Sequence, residues 1–355
     1  MKFVQYQDCK SPHQLPLARE LLHRLGADNF RYVYRDANQA DRAQLGWNMG
    51  IADEPWQLHI GSHPDEAKEL IENADVLLTG MREIDLFERR SAKGLKTFYQ
   101  TERWFKPIDM AGCTLPGWLR LLHPRYMHMA LRFRWLVTSS DKFKVLPIGV
   151  HSYRDMRFLG VPESQMALWG YFVEPSERTQ REPVVHEHEC RVLWVGRMLK
   201  LKRVDTIIKA FGKVVQSSHC GKDMRLLLVG NGPERKRLEL LAKSLPVSFM
   251  DSVPINEVRE LMRRHDVYVF SSDGHDGWGA VVSEALEEGM IVLGTRETGA
   301  SATMLPSERL FSVGDVDALA DLLKRAADGE MVATGIGDWS VDKAAKRVLS
   351  MSGLD

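Results

Sequence analysis

The stretch RVLWVGRMLKLKRVDTIIKAF, residues 191–211, changes its period halfway along. RVLWVG is apolar without alternation, the pattern of a strand buried on both faces. Val204, Ile207, Ile208 and Phe211 then fall at i, i+3, i+4 and i+7, the stripe of a helix with one apolar side. Between the two lie Gly196 and a cation-rich loop. The same alternation recurs downstream. RLLLVG (225–230), VSFMDS (247–252), VYVFSS (267–272), IVLGT (291–295) and LFSVG (310–314) read as further strands. Leu238, Leu241, Ala242 and Leu245, and later Leu319, Leu322, Leu323 and Ala326, repeat the helical stripe. From Arg191 onward the chain therefore reads as a Rossmann-like, doubly wound α/β domain with a parallel sheet.

The first half is less regular but of the same kind. FVQYQ (3–7), RYVYR (31–35), VLLTG (76–80), KTFYQT (96–101), WLVTS (135–139) and KVLPIG (144–149) are strand candidates. LARELLHRLG (17–26) is a helix ending on a capping glycine. The polar stretch EPSERTQREPVVHEHE (174–189) reads as a linker, and DWSVDKAAKRVLSMS (338–352) as a terminal helix with Ser340 as its N-cap. At 355 residues the chain is too long for one ordinary core. The expected layout is a Rossmann-like domain over 1–173, a linker over 174–190, a second Rossmann-like domain over 191–337, and a helix within 338–355. Two such domains would place ligands in a cleft between facing strand ends.

Composition excludes several classes. With 44% hydrophobic and 27% charged residues and no repetitive tract, the chain is globular rather than disordered. Its longest apolar runs fall far short of the ~20 residues of a spanning helix. MKFVQYQDCK has no apolar signal core, so a cytoplasmic location is expected, at most peripheral to the inner face of a membrane. Cys9, Cys113, Cys190 and Cys220 lack CxxC spacing and read as reduced thiols. The net charge of zero conceals a cationic segment. From Arg89 to Trp135 there are ten Lys/Arg against Glu102 and Asp109, interleaved with Trp104, Phe105, Trp118, Tyr126 and Phe133. That composition suits peripheral contact with an anionic membrane, a lipid-phosphate acceptor, a groove for an anionic glycan, or core aromatics under solvated arginines. Nucleic acid is disfavoured by the neutral chain and the lack of a recognised motif.

Three strand ends carry chemistry. After RVLWVG, Gly196 is followed by Arg197 and Lys202 ahead of a helix. A guanidinium fork and an ammonium beside free backbone N–H groups suit a diphosphate, and a solvated basic loop is the plain alternative. After RLLLVG, Gly230 and Gly232 precede Pro233. The missing third glycine argues against a dinucleotide fingerprint and for a tight turn opening a helix. After VYVFSS, Asp276-Gly277-Trp278-Gly279 leads into a helix holding Glu284. Glycines allow close approach of backbone to a ligand, and carboxylates pair with vicinal hydroxyls. Together the first and third ends suggest a nucleotide diphosphate carrying a sugar.

These residues resemble the retaining GT-B glycosyltransferases of family 4, across roughly 191–325. The Gly-Arg…Lys pattern appears as Gly196, Arg197 and Lys202, with Arg203 where a glycine usually follows. The GxGP turn is Gly230–Pro233, and the Glu-x7-Glu motif appears as Asp276 and Glu284, with Asp for the first Glu. Thr298-Gly299-Ala300 matches the glycine-rich loop after the next strand, and GDVDALA (314–320) the closing element. The resemblance implies two facing Rossmann-like domains with the terminal helix crossing back to the first. It implies Arg197 and Lys202 on the donor diphosphate, Glu284 on the ribose, Asp276 on the sugar, and backbone amides around Trp278, Gly279, Gly299 and Ala300 at the phosphates and sugar, with Gly196, Gly277 and Thr298 also among the donor-binding residues. It implies a UDP- or GDP-sugar as donor substrate, a glycan, glycolipid or small-molecule acceptor, and work in bacterial surface polysaccharide or glycolipid biosynthesis.

The first half departs from the family. CKSPHQLP (9–16) replaces its paired-glycine loop, and TFYQTERWF (97–105) stands where a histidine is common. His13, Glu102 and His123 are the candidates for the acceptor side. No cofactor and no metal are expected, since this transferase class does not require a metal. HEHEC (186–190) has no companion ligands at site spacing, and Asp315-Val-Asp317 reads as a helix start. The rival readings are an inactive GT-B protein that binds sugar nucleotide or glycan, and a sugar-nucleotide epimerase.

Overall fold

A computed structural model of the chain describes residues 1–36, 53–110, 113–176, 189–217 and 223–354. They form two compact units, Met1–Val173 with Ser340–Asp355, and Glu174–Trp339. Most of the linker expectation, residues 177–188, and Cys220 lie outside the described residues.

The N-terminal unit runs β1 (Phe3–Cys9), α1 (Leu15–Leu25), β2 (Phe30–Asp36), β3 (Gln57–His59), α2 (Pro64–Asn73), β4 (Val76–Thr79), α3 (Ile84–Ala92) and β5 (Lys96–Thr101). A hairpin, β6 (Ile108–Met110) and β7 (Cys113–Leu115), and a 3₁₀ turn at Gly117–Leu122 lead to α4 (Pro124–Ser139), β8 (Phe143–Pro147) and α5 (Gly149–Phe158). The large sheet has the order β3-β2-β1-β4-β5-β8 with every neighbour parallel. Its strands are buried on both faces, and Phe87 of α3 seats its ring 5.2 Å from those of Tyr99 and Phe143. The chain reverses its direction of growth between β1 and β4, where open α/β sheets bind ligands.

Arg90 lies wholly inside this unit. Its guanidinium donates to the carbonyls of Ile71 (2.9 Å), Ala74 (2.8 Å) and Lys96 (2.9 Å) and to the Thr97 hydroxyl (3.0 Å). It thereby satisfies carbonyls that the end of α2 would leave bare. Burial pulls its pKa down to about 10, against the pull of Asp75.

WLVTS is not a strand: residues 135–139 are the last turns of α4. Tryptophan, valine and threonine favour strands, yet Ala130, Phe133, Leu136 and Val137 make one buried helical face, and packing decides. β3 and the β6–β7 hairpin are too short to show a period in the sequence.

The C-terminal unit runs β9 (Glu189–Val195), α6 (Val204–Gln216), β10 (Asp223–Val229), α7 (Arg235–Leu241), β11 (Val247–Met250) and α8 (Ile255–Arg263). It continues with β12 (Val267–Phe270), α9 (Ala280–Glu287), β13 (Ile291–Thr295), α10 (Gly299–Met304), β14 (Leu310–Phe311) and α11 (Val316–Ala327). Its sheet, β11-β10-β9-β12-β13-β14, is parallel throughout and repeats the N-terminal strand order. Asp315 caps α11 by accepting the Ala318 N–H at 3.0 Å, a helix start as its sequence suggests.

The last helix, α12 (Val341–Ser352), returns to the N-terminal unit. Ser340 caps it, and Val341, Ala344, Ala345, Val348 and Leu349 form its buried face. Asp342 pairs with Arg24 at 2.5 Å, and Lys96 donates to the Ser352 carbonyl at 2.6 Å.

Candidate active site

In the C-terminal unit, the loop after β9 is shaped by the Gly-Asn-Gly turn after β10. The Gly196 N–H donates to the Val229 carbonyl (3.0 Å) and the Met198 N–H to that of Asn231 (2.8 Å). A Cβ on Gly230, whose φ is +133°, would stand 1.9 Å from the Gly196 oxygen. One on Gly232 would meet the Met198 oxygen at 2.5 Å. Both glycines thus serve close packing of two loops. The loop they support presents Arg197 exposed, with no side-chain partner among the described residues. Lys202 ends a 3₁₀ turn, and Arg203 follows at φ +50°, the one non-glycine residue at positive φ among those described. The geometry of this position favours glycine, and arginine there bears a strain of about 1 kcal/mol.

The turn after β12 is tied to the same loop. Lys202 Nζ reaches Asp276 Oδ2 at 2.5 Å, the Ser271 hydroxyl donates to the Lys202 carbonyl at 2.7 Å, and the Asp273 N–H donates to the Leu201 carbonyl at 2.9 Å. Gly279, at φ +87°, turns the chain over Phe270: a Cβ there would meet the ring at 2.5 Å. Trp278 is buried beside Trp339 (ring centroids 5.9 Å apart) and against Gly299. The tryptophan fixes the loop from inside and does not present its ring to a ligand.

The loop at 298–300 behaves differently from the expectation drawn for it. The N–H groups of Gly299 and Ala300 donate to the carbonyls of Gly277 (3.3 Å) and Trp278 (2.8 Å), and the Thr298 hydroxyl donates to the Thr295 carbonyl (3.0 Å). These groups brace the turn at Gly277–Gly279. Backbone N–H groups at Gly277, Trp278 and Gly279 and the first two of α9, at Ala280 and Val281, donate to no carbonyl among the described residues, and a helix start leaves such groups for an anion.

Glu284 lies within α9, buried, with no hydrogen bond or ion pair to its carboxylate among the described residues. Burial pushes its pKa up to about 7; Arg259 opposes the rise and Glu288 adds to it. Glu288 itself is engaged by Arg259 (2.7 Å), Arg263 (2.8 Å) and the Ser176 hydroxyl (3.1 Å). Beneath the site, Tyr268 donates to the Val195 carbonyl at 3.2 Å. Of the residues singled out from sequence, the fold brings Gly196, Arg197, Lys202, Asp276 and Glu284 to the C-terminal ends of β9 and β12 and the loops and helix that follow.

The N-terminal unit has its own cavity of about 470 Å³ at the ends of β1, β4 and β5. His13 and Glu102 both line it; His123 does not, and is exposed at the start of α4. Glu102 accepts from the Tyr171 hydroxyl (3.0 Å) and from Lys106 (2.9 Å), and the His13 ring stacks on Tyr171 with centroids 6.4 Å apart. Burial, then the charge of Glu102, holds the Tyr171 hydroxyl far above its ordinary pKa, so it is a donor at every relevant pH. Gln7 and Gln100 join at 3.2 Å in the cavity wall. Tyr171, Gln7, Gln100 and Arg82, also in the lining, were not singled out from sequence. The available signal was glutamine near the end of otherwise apolar buried strands.

Most of the cationic segment is paired within the fold, although only Arg90 of its ten Lys/Arg is buried. Arg90 is buried, and Arg132 pairs with Asp85 and Glu88, both at 2.6 Å. Arg89 pairs with Glu72, Lys106 with Glu102, and Arg103 lies 3.7 Å from Asp155. Lys93 donates to Asn73 and Lys96 to Ser352. Among the described residues no helix is long and apolar enough to cross a membrane.

Comparison with known proteins agrees with this geometry. Residues 189–328, less than half of the chain, match the family model of glycosyl transferases group 1, over the same loops that carry the motifs. The chain is 28% identical over 174 residues to the N-acetyl-alpha-D-glucosaminyl L-malate synthase of Bacillus anthracis, covering 47% of this chain and 44% of that protein. It is 26% identical over 132 residues to the sulfoquinovosyl transferase SQD2 of Arabidopsis thaliana, covering 36% and 24%. The matches thus span less than half the length of these curated relatives. Among solved structures, the apo lipopolysaccharide outer core galactosyltransferase WaaB is similar with a TM-score of 0.62 at 14% identity, over 99% of both chains. HepE of Anabaena, in complex with UDP, is similar with a TM-score of 0.61 at 14% identity, over 99% of this chain and 98% of that one. The fold they share with the chain is GT-B: two parallel-sheet, Rossmann-like units with the terminal helix returned to the first.

Proposed function

We propose that the protein transfers a sugar from a nucleotide diphosphate donor to a hydroxyl acceptor with retention at the anomeric carbon. One observation carries the reading: the Lys202–Asp276 pair at 2.5 Å ties the loop holding an unpartnered Arg197 to the turn that leads to a buried, unpartnered Glu284. Cation, anion and hydroxyl acceptor are the set that a sugar nucleotide needs.

In this reading Arg197 and Lys202 take the diphosphate, and their charge matters most as the leaving group gains its own. Glu284, once ionised, accepts the ribose hydroxyls. Asp276 is held by Lys202 and accepts from a sugar hydroxyl; it is a positioning group and not a base. Retention follows if the acceptor hydroxyl attacks on the face the diphosphate leaves, its proton passing to a departing phosphate oxygen. The acceptor enters the cavity of the N-terminal unit, where Glu102, Gln7 and Gln100 offer hydroxyl partners and the His13–Tyr171 stack an apolar platform. No step calls for a metal. UDP is the favoured nucleotide, supported by the UDP bound to HepE and the UDP and glucose in a second structure of it. A setting in bacterial surface polysaccharide or glycolipid assembly is supported by the likeness to WaaB.

The test is a melting series with UDP-, GDP-, ADP- and dTDP-sugars, followed by measurement of free nucleotide diphosphate. A bound donor at a hundred times its Kd stabilises by about 2.7 kcal/mol. Stabilisation without release of diphosphate, with or without acceptor, would leave a binding protein, and turnover without any acceptor would indicate an epimerase.

A further inference from the structure

Among the described residues, the exposed large aromatic rings are Trp118, Trp135 and Phe158, all in the N-terminal unit. Trp135 lies on α4, Trp118 on the 3₁₀ turn just before it, and Phe158 at the end of α5. Met127, Leu131 and Trp135 recur every four residues along α4 and form one stripe, with Leu131 56% and Trp135 63% exposed. Trp118 (47% exposed) and Leu122 extend it onto the preceding 3₁₀ turn. Phe158 adjoins through Phe105: their rings lie 5.5 Å apart, and the backbone of Phe105 lies against Gly117. An apolar patch this concentrated is rarely left bare to water.

Its surroundings name what covers it. No Asp or Glu occurs between Asp109 and Asp141. The helical period puts His128 and Arg134 on the two flanks of the stripe, and Arg125 stands exposed in the first turn of the same helix. Arg125 and Arg134 have no carboxylate partner among the described residues, whereas Arg132, on the packed side, has two. Apolar rings at the centre and free guanidinium groups at the rim match the boundary between acyl chains and anionic headgroups, where tryptophan and arginine settle together. We propose that the 3₁₀ turn at Gly117–Leu122 and α4 dock the protein flat on an anionic lipid bilayer, with Trp118, Leu131 and Trp135 at the headgroup–acyl boundary and Arg125 and Arg134 on the headgroups. The attachment is driven by ring burial more than by charge, since most cations of residues 89–135 already have partners within the fold. It is independent of the transferase reading and is measured without a donor.

The full chain is sedimented with vesicles of phosphatidylcholine alone and with phosphatidylglycerol added. The expected result is co-sedimentation with the anionic vesicles, with a blue shift of tryptophan emission. Leu131→Glu with Trp135→Glu should lower partitioning about tenfold or more, and Arg125→Ala with Arg134→Ala should cause a smaller loss that added salt reproduces. Leu240→Glu, at an exposed leucine of the C-terminal unit, should change nothing. Thermal melts check the fold, and Leu131→Ser with Trp135→Ser is the milder pair. Absence of co-sedimentation, equal binding to both vesicle types, or binding indifferent to the Leu131/Trp135 changes would overturn the proposal. So would a concentration-dependent dimer that the same changes dissolve, because the face would then belong to a second copy.

Discussion

The two units repeat one strand order and differ in what stands at the ends of the strands. In the C-terminal unit the loops are glycine-rich, pressed against one another and armed with Arg197 and Lys202. In the N-terminal unit the loop after β1 is Lys10-Ser11-Pro12-His13, and the cavity beside it is walled by glutamines, tyrosines and Glu102. The same scaffold therefore presents opposite chemistry at its two sets of strand ends. Close-packed backbone with cations at its edge suits a charged, compact group such as a diphosphate. A roomy pocket of amides, rings and a carboxylate suits a neutral hydroxylated molecule.

The largest effect that tests this contrast is steric. Gly230→Ala puts a Cβ into the Gly196 oxygen and should cost about 3 kcal/mol or more, seen as a lower midpoint in urea. Gly80→Ala, at a strand end of the N-terminal unit, meets only the movable amide of Gln7 at 2.9 Å and should cost far less. Equal costs would erase the distinction between packed and roomy loops.

Next come the binding groups. Arg197→Ala should weaken UDP binding about 10- to 100-fold by calorimetry while leaving stability within about 0.5 kcal/mol, since the side chain is exposed and unpartnered. Glu102→Gln should do the reverse: unchanged UDP affinity and about tenfold slower transfer. A joint loss of UDP binding in both variants would show that the two units do not divide the substrates.

Glu284 makes a pH prediction. Its pKa is raised in the folded chain to about 7 from an ordinary 4.5, so between those values the folded state holds the extra proton. Stability should therefore fall as pH rises from about 4.5 to about 7, then level off. Glu284→Gln should abolish that slope, an effect on the order of 1–3 kcal/mol in the free protein. UDP affinity should move the other way, rising with pH through 7 as the carboxylate forms. The smallest effect is at Arg203, where replacement by glycine should relieve the positive φ and stabilise by less than about 1 kcal/mol in a melt.

How much of this was legible in the sequence follows from how local each feature is. β9 through α11 could be read because strands buried on both faces and helices buried on one leave uninterrupted patterns. Arg197, Lys202, Asp276 and Glu284 sit at fixed distances from those strand ends. The cavity residues could not be read that way: Gln7, Gln100 and Tyr171 lie far apart in the chain and meet only through the sheet. The use of the Gly299 and Ala300 amides was hidden because hydrogen-bond partners, unlike glycines, leave no mark in sequence. The partners of the cations of residues 89–135 could not be read because sequence shows charge and not pairing, and Arg90, fully buried, is the extreme case.

The Lys202–Asp276 pair gives the site a resident counter-ion. Before any phosphate arrives, the ammonium is already neutralised at 2.5 Å, so the incoming group competes with a carboxylate tethered at high local concentration. Under the proposed function a dianionic diphosphate would win that competition where a weaker anion would lose it, a filter of ligands by charge. In the proposed reaction the carboxylate would return to the lysine as the nucleotide departs, so the residue assigned to the sugar would also help to empty the site.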